Sequence, residues 1–77
     1  MKSIKVNINS IDKVKNFVNI LTKYKGDFDL ASGHYAIDAK SIMGIFSLDL
    51  SEDIELVIQD DSESDAVIKS LEDFIVK

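Results

Sequence analysis

The sequence predicts an α+β protein of two layers, in which helices cover one face of a mainly antiparallel sheet. Apolar residues alternate with polar ones in four short runs, which places them on one face of half-buried strands. Between and after those runs, apolar residues recur at helical spacing. The 77 residues leave room for one core, since a domain this small buries only about 60% of its unfolded surface. Residues 1–77 are therefore read as a single domain.

The elements follow in order. Ile4, Val6 and Ile8 alternate with Lys5 and Asn7, giving a first strand. Ser10 is placed to cap a helix whose core stripe is Val14, Phe17, Val18 and Leu21, and Gly26 permits its exit. Phe28 and Leu30 alternate with Asp27 and Asp29, Ser32-Gly33 reads as a tight turn, and Tyr35 and Ile37 begin a return strand. Ser41 to about Leu48 forms a short helix, and Ile54, Leu56 and Ile58 alternate as a fourth strand. Ser62 opens the last helix, approximating a capping box with Asp65, and Val67, Ile68, Leu71, Phe74 and Ile75 share its apolar face. The order is βαββαβα.

Composition excludes several functions. The net charge is −5 and nine basic residues are spread along the chain, so no basic cluster tracks nucleic-acid phosphates. The absence of cysteine excludes a disulfide framework and thiol chemistry. Met1-Lys2-Ser3-Ile4-Lys5 lacks the apolar run of a signal peptide, and no segment approaches the ~20 apolar residues of a membrane span; a cytoplasmic location is expected. Asp60, Asp61, Glu63 and Asp65 lack the alternating oxygen ligands and central glycine of a calcium loop. At a helix start they complement the dipole instead, by roughly 0.3–1 kcal/mol each. No metal or cofactor is expected. The one histidine, His34, follows Gly33 at the predicted hairpin turn, where an exposed imidazole without a partner is expected. It has no hydroxyl or basic companion nearby in sequence that would point to phosphotransfer or base catalysis.

The segment Ala39-Lys40-Ser41-Ile42-Met43-Gly44-Ile45-Phe46-Ser47-Leu48 resembles the regulatory-serine region of the HPr family of bacterial phosphocarrier proteins, where a strand gives way to a short helix. Asp27-Phe28-Asp29-Leu30 and Glu55-Leu56-Val57-Ile58 are similar to the family in pattern. The element order agrees over nearly the whole chain. The resemblance implies an open-faced HPr sandwich, with four antiparallel strands in the order 1-4-2-3 covered on one face by three helices. The chain departs from the family between the first strand and first helix, where HPr carriers place a histidine followed closely by arginine and proline. Here the stretch is Asn9-Ser10-Ile11-Asp12-Lys13. In a carrier the imidazole nitrogen is the nucleophile, and the arginine and the helix N-terminus hold the phosphoryl group. Asp12 would repel that group, and Ser10 is no substitute at comparable transfer potential. Family members that lack the histidine, such as the catabolite-repression HPr-like proteins, are read as regulators.

The candidate site is thus Lys40, Ser41, Ile42, Met43 and Gly44. Ser41 is both a good helix cap and, by the resemblance, the residue a kinase phosphorylates. Lys40 adds a weak, screened attraction to phosphate. Ile42 and Met43 are expected to face outward as a docking patch, with Ile45 and Leu48 inward and Gly44 allowing close backbone approach. The partners implied are an HPr kinase/phosphorylase and a LacI-type transcription regulator, and the protein is not expected to be an enzyme. Two alternatives stand beside this reading: a binding module that works without phosphorylation, and a phosphocarrier of the sugar phosphotransferase system.

Overall fold

Alternation of apolar residues builds the sheet in the computed structural model, which describes residues 2–33 and 35–76. Its strands are β1 (Lys2–Val6), β2 (Phe28–Ser32), β3 (Tyr35–Asp38) and β4 (Ile54–Ile58). They lie in the order β1-β4-β2-β3, all pairs antiparallel. The register sets Ile4, Leu56, Leu30 and Ile37 in one row across the sheet. Leu56 and Leu30, at its centre, are fully buried. The neighbouring row on the other face is Ser3, Val57, Asp29 and Asp38. Gly33 turns the hairpin between β2 and β3 with φ 59°, a left-handed conformation that glycine adopts freely and residues with a side chain rarely do. His34 lies outside the described residues.

Three helices cover the apolar face: α1 (Ile11–Leu21), α2 (Ile42–Ile45) and α3 (Ser64–Ser70). Ser10 caps α1, its hydroxyl accepting the Lys13 amide at 3.2 Å, and Val14, Phe17, Val18 and Leu21 are buried. Phe17 meets Phe74 edge to face, with ring centroids 5.8 Å apart. The α2 turn continues through Ser47 and Leu48, whose amides donate to Gly44 and Ile45. Among the described residues no helix is long and apolar enough to cross a membrane.

Three sequence expectations are corrected. α1 ends at Leu21 with Thr22 in an ordinary right-handed conformation, five residues before Gly26, so Gly26 does not provide the exit. It provides clearance, because a β-carbon there would come within 2.9 Å of Asp60 Cβ. Ser62 does not cap α3, and the Ser62–Asp65 box does not form. Asp60 captures both the hydroxyl and the amide of Ser62, at 2.7 and 2.9 Å, and α3 starts after Glu63 without a side-chain cap. This is the usual competition between a local Asx turn and a helix cap. Finally, α3 yields at Leu71 to a 3-10 turn over Glu72–Phe74, and Ile75 leaves the helix to pair with Val6. The free edge of β1 explains this: Asn7 donates to Phe74 O at 2.8 Å and Val76 to Lys5 O at 2.9 Å, so the end of the chain satisfies backbone groups that a longer helix would leave open.

Candidate functional site

The corner between β3 and α2 is assembled from local hydrogen bonds. Ala39 is fully buried and its amide donates to Phe28 O at 2.9 Å. The Lys40 amide donates to Asp38 Oδ1 at 2.9 Å, and the Ser41 amide to Asp38 O at 3.0 Å. Ser41 then has the extended backbone of a cap, with its hydroxyl accepting the Gly44 amide at 3.1 Å and its carbonyl accepting from Ile45 at 3.0 Å. The side chain of Ser41 is half-buried. Gly44 is tightly placed, since a β-carbon there would lie 3.2 Å from Ser41 Oγ and 3.3 Å from Ile37 Cδ1.

The apolar side chains of α2 divide. Ile45 is fully buried and Leu48 packs partly against the core. Met43 is 81% exposed and Ile42 39%, with Phe46 beside them at 42%. Ile11, in the first turn of the neighbouring helix α1, is 61% exposed although it falls on the stripe of Val14, Val18 and Leu21. Helical periodicity assigns a face; it does not say where that face runs out of core to cover. The Lys40 ammonium is committed to backbone: it donates to Tyr24 O at 2.7 Å and Gly26 O at 3.2 Å and stands over the Phe28 ring.

The loop between β1 and α1 is organised by other means. Asn7 donates through its side chain to Asp53 Oδ1 at 3.2 Å, Ile8 is fully buried, and the Ser10 hydroxyl is occupied as the α1 cap. Residues 7–13 contain no histidine, and Asp12 lies in the first turn of α1.

A cavity of about 310 Å³ lies where β2, β3 and the end of β4 meet, lined by Asp27, Phe28, Asp29, Asp38 and Gln59. Gln59 donates to Asp29 Oδ2 at 2.7 Å, and Asp29 sits directly opposite Asp38 in the ladder. Asp27 is exposed and Asp29 half-buried. Only the strand register brings these carboxylates together, so sequence spacing gives no sign of it. Among the described residues no group of histidine, cysteine, aspartate or glutamate side chains is arranged to hold a metal ion.

A model of the family described as "PTS HPr component phosphorylation site" matches residues 5–77. Among solved structures the chain is similar to HPr-C-His from Thermoanaerobacter tengcongensis, at 28% identity and a TM-score of 0.79 over 95% of this chain and 89% of that one. It shares its fold with a phosphocarrier protein HPr from Bacillus anthracis str. Ames, at 21% identity and a TM-score of 0.73 over 97% of this chain and 94% of that one. No curated protein matches it.

Proposed function

The chain belongs to the HPr family of the phosphotransferase system, and within that family we propose that it is a regulator and not a phosphoryl carrier. Ser41 is the residue phosphorylated, and the surface around Ser41, Ile42 and Met43, flanked by Lys40 and Gly44, docks to a regulator. The observation that carries this reading is the juxtaposition at α2: a serine at the helix start beside a methionine that is 81% exposed. An exposed, flexible thioether next to a modifiable hydroxyl suits a docking surface whose affinity depends on the state of the serine. A first loop without an imidazole removes the nucleophile that a carrier needs.

In the proposed reaction Ser41 Oγ attacks the γ-phosphorus of ATP bound to an HPr kinase/phosphorylase. The hydroxyl proton passes to a base of that enzyme, the bond to the bridging oxygen breaks, and ADP leaves. The phosphoserine is then the label that a LacI-type transcription regulator reads, which places the protein in carbon catabolite regulation.

A second reading, docking without phosphorylation, is favoured by one observation: Ser41 is half-buried and its hydroxyl already serves Gly44 as a cap. Incubation with HPr kinase and ATP separates the two. Incorporation of one phosphoryl group, abolished in Ser41→Ala, is the expected result. An unmodified protein that still binds the regulator would leave the second reading standing.

A further inference from the structure

Lys40 adjoins Ser41 in the chain, but its ammonium is engaged across the fold. It donates to Tyr24 O and Gly26 O at 2.7 and 3.2 Å and lies 5.2 Å from the centroid of the Phe28 ring. These three residues span the turn that joins α1 to β2. The two carbonyls belong to the turn after α1, which ends at Leu21, so Lys40 supplies a charged donor to loop carbonyls and not to the end of the helix. Hydrogen bonds from a charged donor are stronger than neutral ones, and a half-desolvated cation over an aromatic face adds to them.

The same lysine bounds the corner that presents Ser41. Its amide and that of Ser41 are held by Asp38, and Ala39 is fully buried with its amide bonded to Phe28 O. α2 has four residues, far short of the ~12–15 at which a helix becomes marginally stable on its own. Its start must therefore be fixed from outside. The Lys40 side chain supplies a tie to the α1–β2 turn, and Tyr24 carries that tie onward, its hydroxyl 2.7 Å from Ser70 Oγ at the end of α3.

We propose that Lys40 is a positioning residue: its ammonium, seated on the Tyr24 and Gly26 carbonyls and the Phe28 ring, pins the β3–α2 corner so that Ser41 is presented at the start of α2. For its effect on phosphorylation this rests on the reading of Ser41 given above; for its effect on α2 it does not.

Lys40→Gln and Lys40→Arg in the full chain test it. Lys40→Gln should speed exchange of the Gly44, Ile45 and Phe46 amides about tenfold, with β4 amides unchanged, and Lys40→Arg should restore protection. With HPr kinase/phosphorylase and ATP, KM for the Gln variant should rise at unchanged kcat, by the reciprocal of the fraction of molecules whose corner stays ordered, because only that fraction binds productively. Exchange at wild-type rates in α2, a uniform rise in every element, or a local rise that leaves the corner mostly open without a change in KM would overturn the proposal. A wild-type protein that is never phosphorylated, together with a local rise in the Gln variant, removes the reading of Ser41 and supports the pin. Should Lys40→Gln fail to fold, the wild-type NMR spectrum decides: ring-shifted Lys40 ε-methylene protons support the seat over Phe28, and unshifted ones overturn it.

Discussion

The hydroxyl oxygen of Ser41 accepts the Gly44 amide at 3.1 Å, and a β-carbon on Gly44 would stand 3.2 Å from that same oxygen. Gly44→Ala therefore sets two effects of similar size against each other. Removing a helical glycine gains about 1 kcal/mol, and displacing the cap costs about as much. Ile37 Cδ1, at 3.3 Å, is the end of a side chain and yields readily. The melting temperature should stay within roughly 5 °C of wild type, since 1 kcal/mol shifts a domain of this size by about 4–8 °C, while phosphorylation of Ser41 slows. A fall well beyond that range would mean that the corner cannot relax and that the cap is more rigid than this balance allows.

Met43→Asp should leave the fold intact and weaken regulator binding by about tenfold or more, the effect of a charge at the centre of an apolar contact. Its contrast is Phe17→Asp. Phe17 is fully buried and packed against Phe74, so a carboxylate there should unfold the domain. Circular dichroism melts and titration calorimetry with a LacI-type regulator measure both. If Met43→Asp melts like Phe17→Asp, Met43 supports the fold and is not a docking residue.

Incubation with enzyme I and phosphoenolpyruvate should leave the mass of the protein unchanged, because residues 7–13 contain no imidazole. Stable phosphoryl transfer to His34, lost in His34→Ala, would return the protein to the carriers.

Hydrogen bonds from the Ser62 hydroxyl, and secondarily from its amide, hold the Asp60 carboxyl below its ordinary value of 3.8; Ser51 does the same for Asp49. A carboxyl whose folded pKa lies below its unfolded one adds stability above the unfolded value, and that stability is lost as pH falls through the lowered value. Both groups are fully exposed, so the effect on stability is small. Ser62→Ala should raise the Asp60 pKa toward 3.8 in an NMR titration. Any loss of stability should be present at neutral pH and vanish in acid. A loss that persisted in acid would trace to the turn and not to the carboxylate.

What the residues revealed on their own was whatever repeats over short range. Ile4, Leu56, Leu30 and Ile37 announce their shared face through the period of two, and Ser10 and Ser41 announce their helices because a cap acts over three residues. Interactions between distant segments left no such trace. Ser62 has the right spacing to cap, but Asp60 two residues earlier takes its hydroxyl. Gly26 looks like a helix stop until Asp60 is seen packed against it. Ile75 fits the apolar face of α3, yet the open edge of β1 draws it into pairing with Val6. The commitment of Lys40 to the Tyr24 and Gly26 carbonyls depends on the β3–α2 corner meeting the α1–β2 turn, whose two carbonyls lie 16 and 14 residues away in the chain.

Phosphorylation of Ser41 should leave the fold intact and raise protection of the Gly44 and Ile45 amides. The group adds a charge of about −1.5 to −2 where the Gly44 amide already meets the hydroxyl at 3.1 Å. Against it stand the net charge of −5 and the Asp38 carboxylate of the same corner, which the Lys40 amide engages. Asp38 is exposed and its repulsion acts through solvent, and carboxylates farther than a Debye length of about 8 Å are screened. The amide within hydrogen-bond reach is not screened in this way, so the local attraction wins and the modification changes the surface without switching the conformation. Amide exchange and thermal melts of kinase-treated protein against Ser41→Ala measure the outcome. A lowered melting temperature, with the segment from Ser41 to Leu48 deprotected, would show that repulsion dominates and that Ser41 acts as a conformational switch instead of a label.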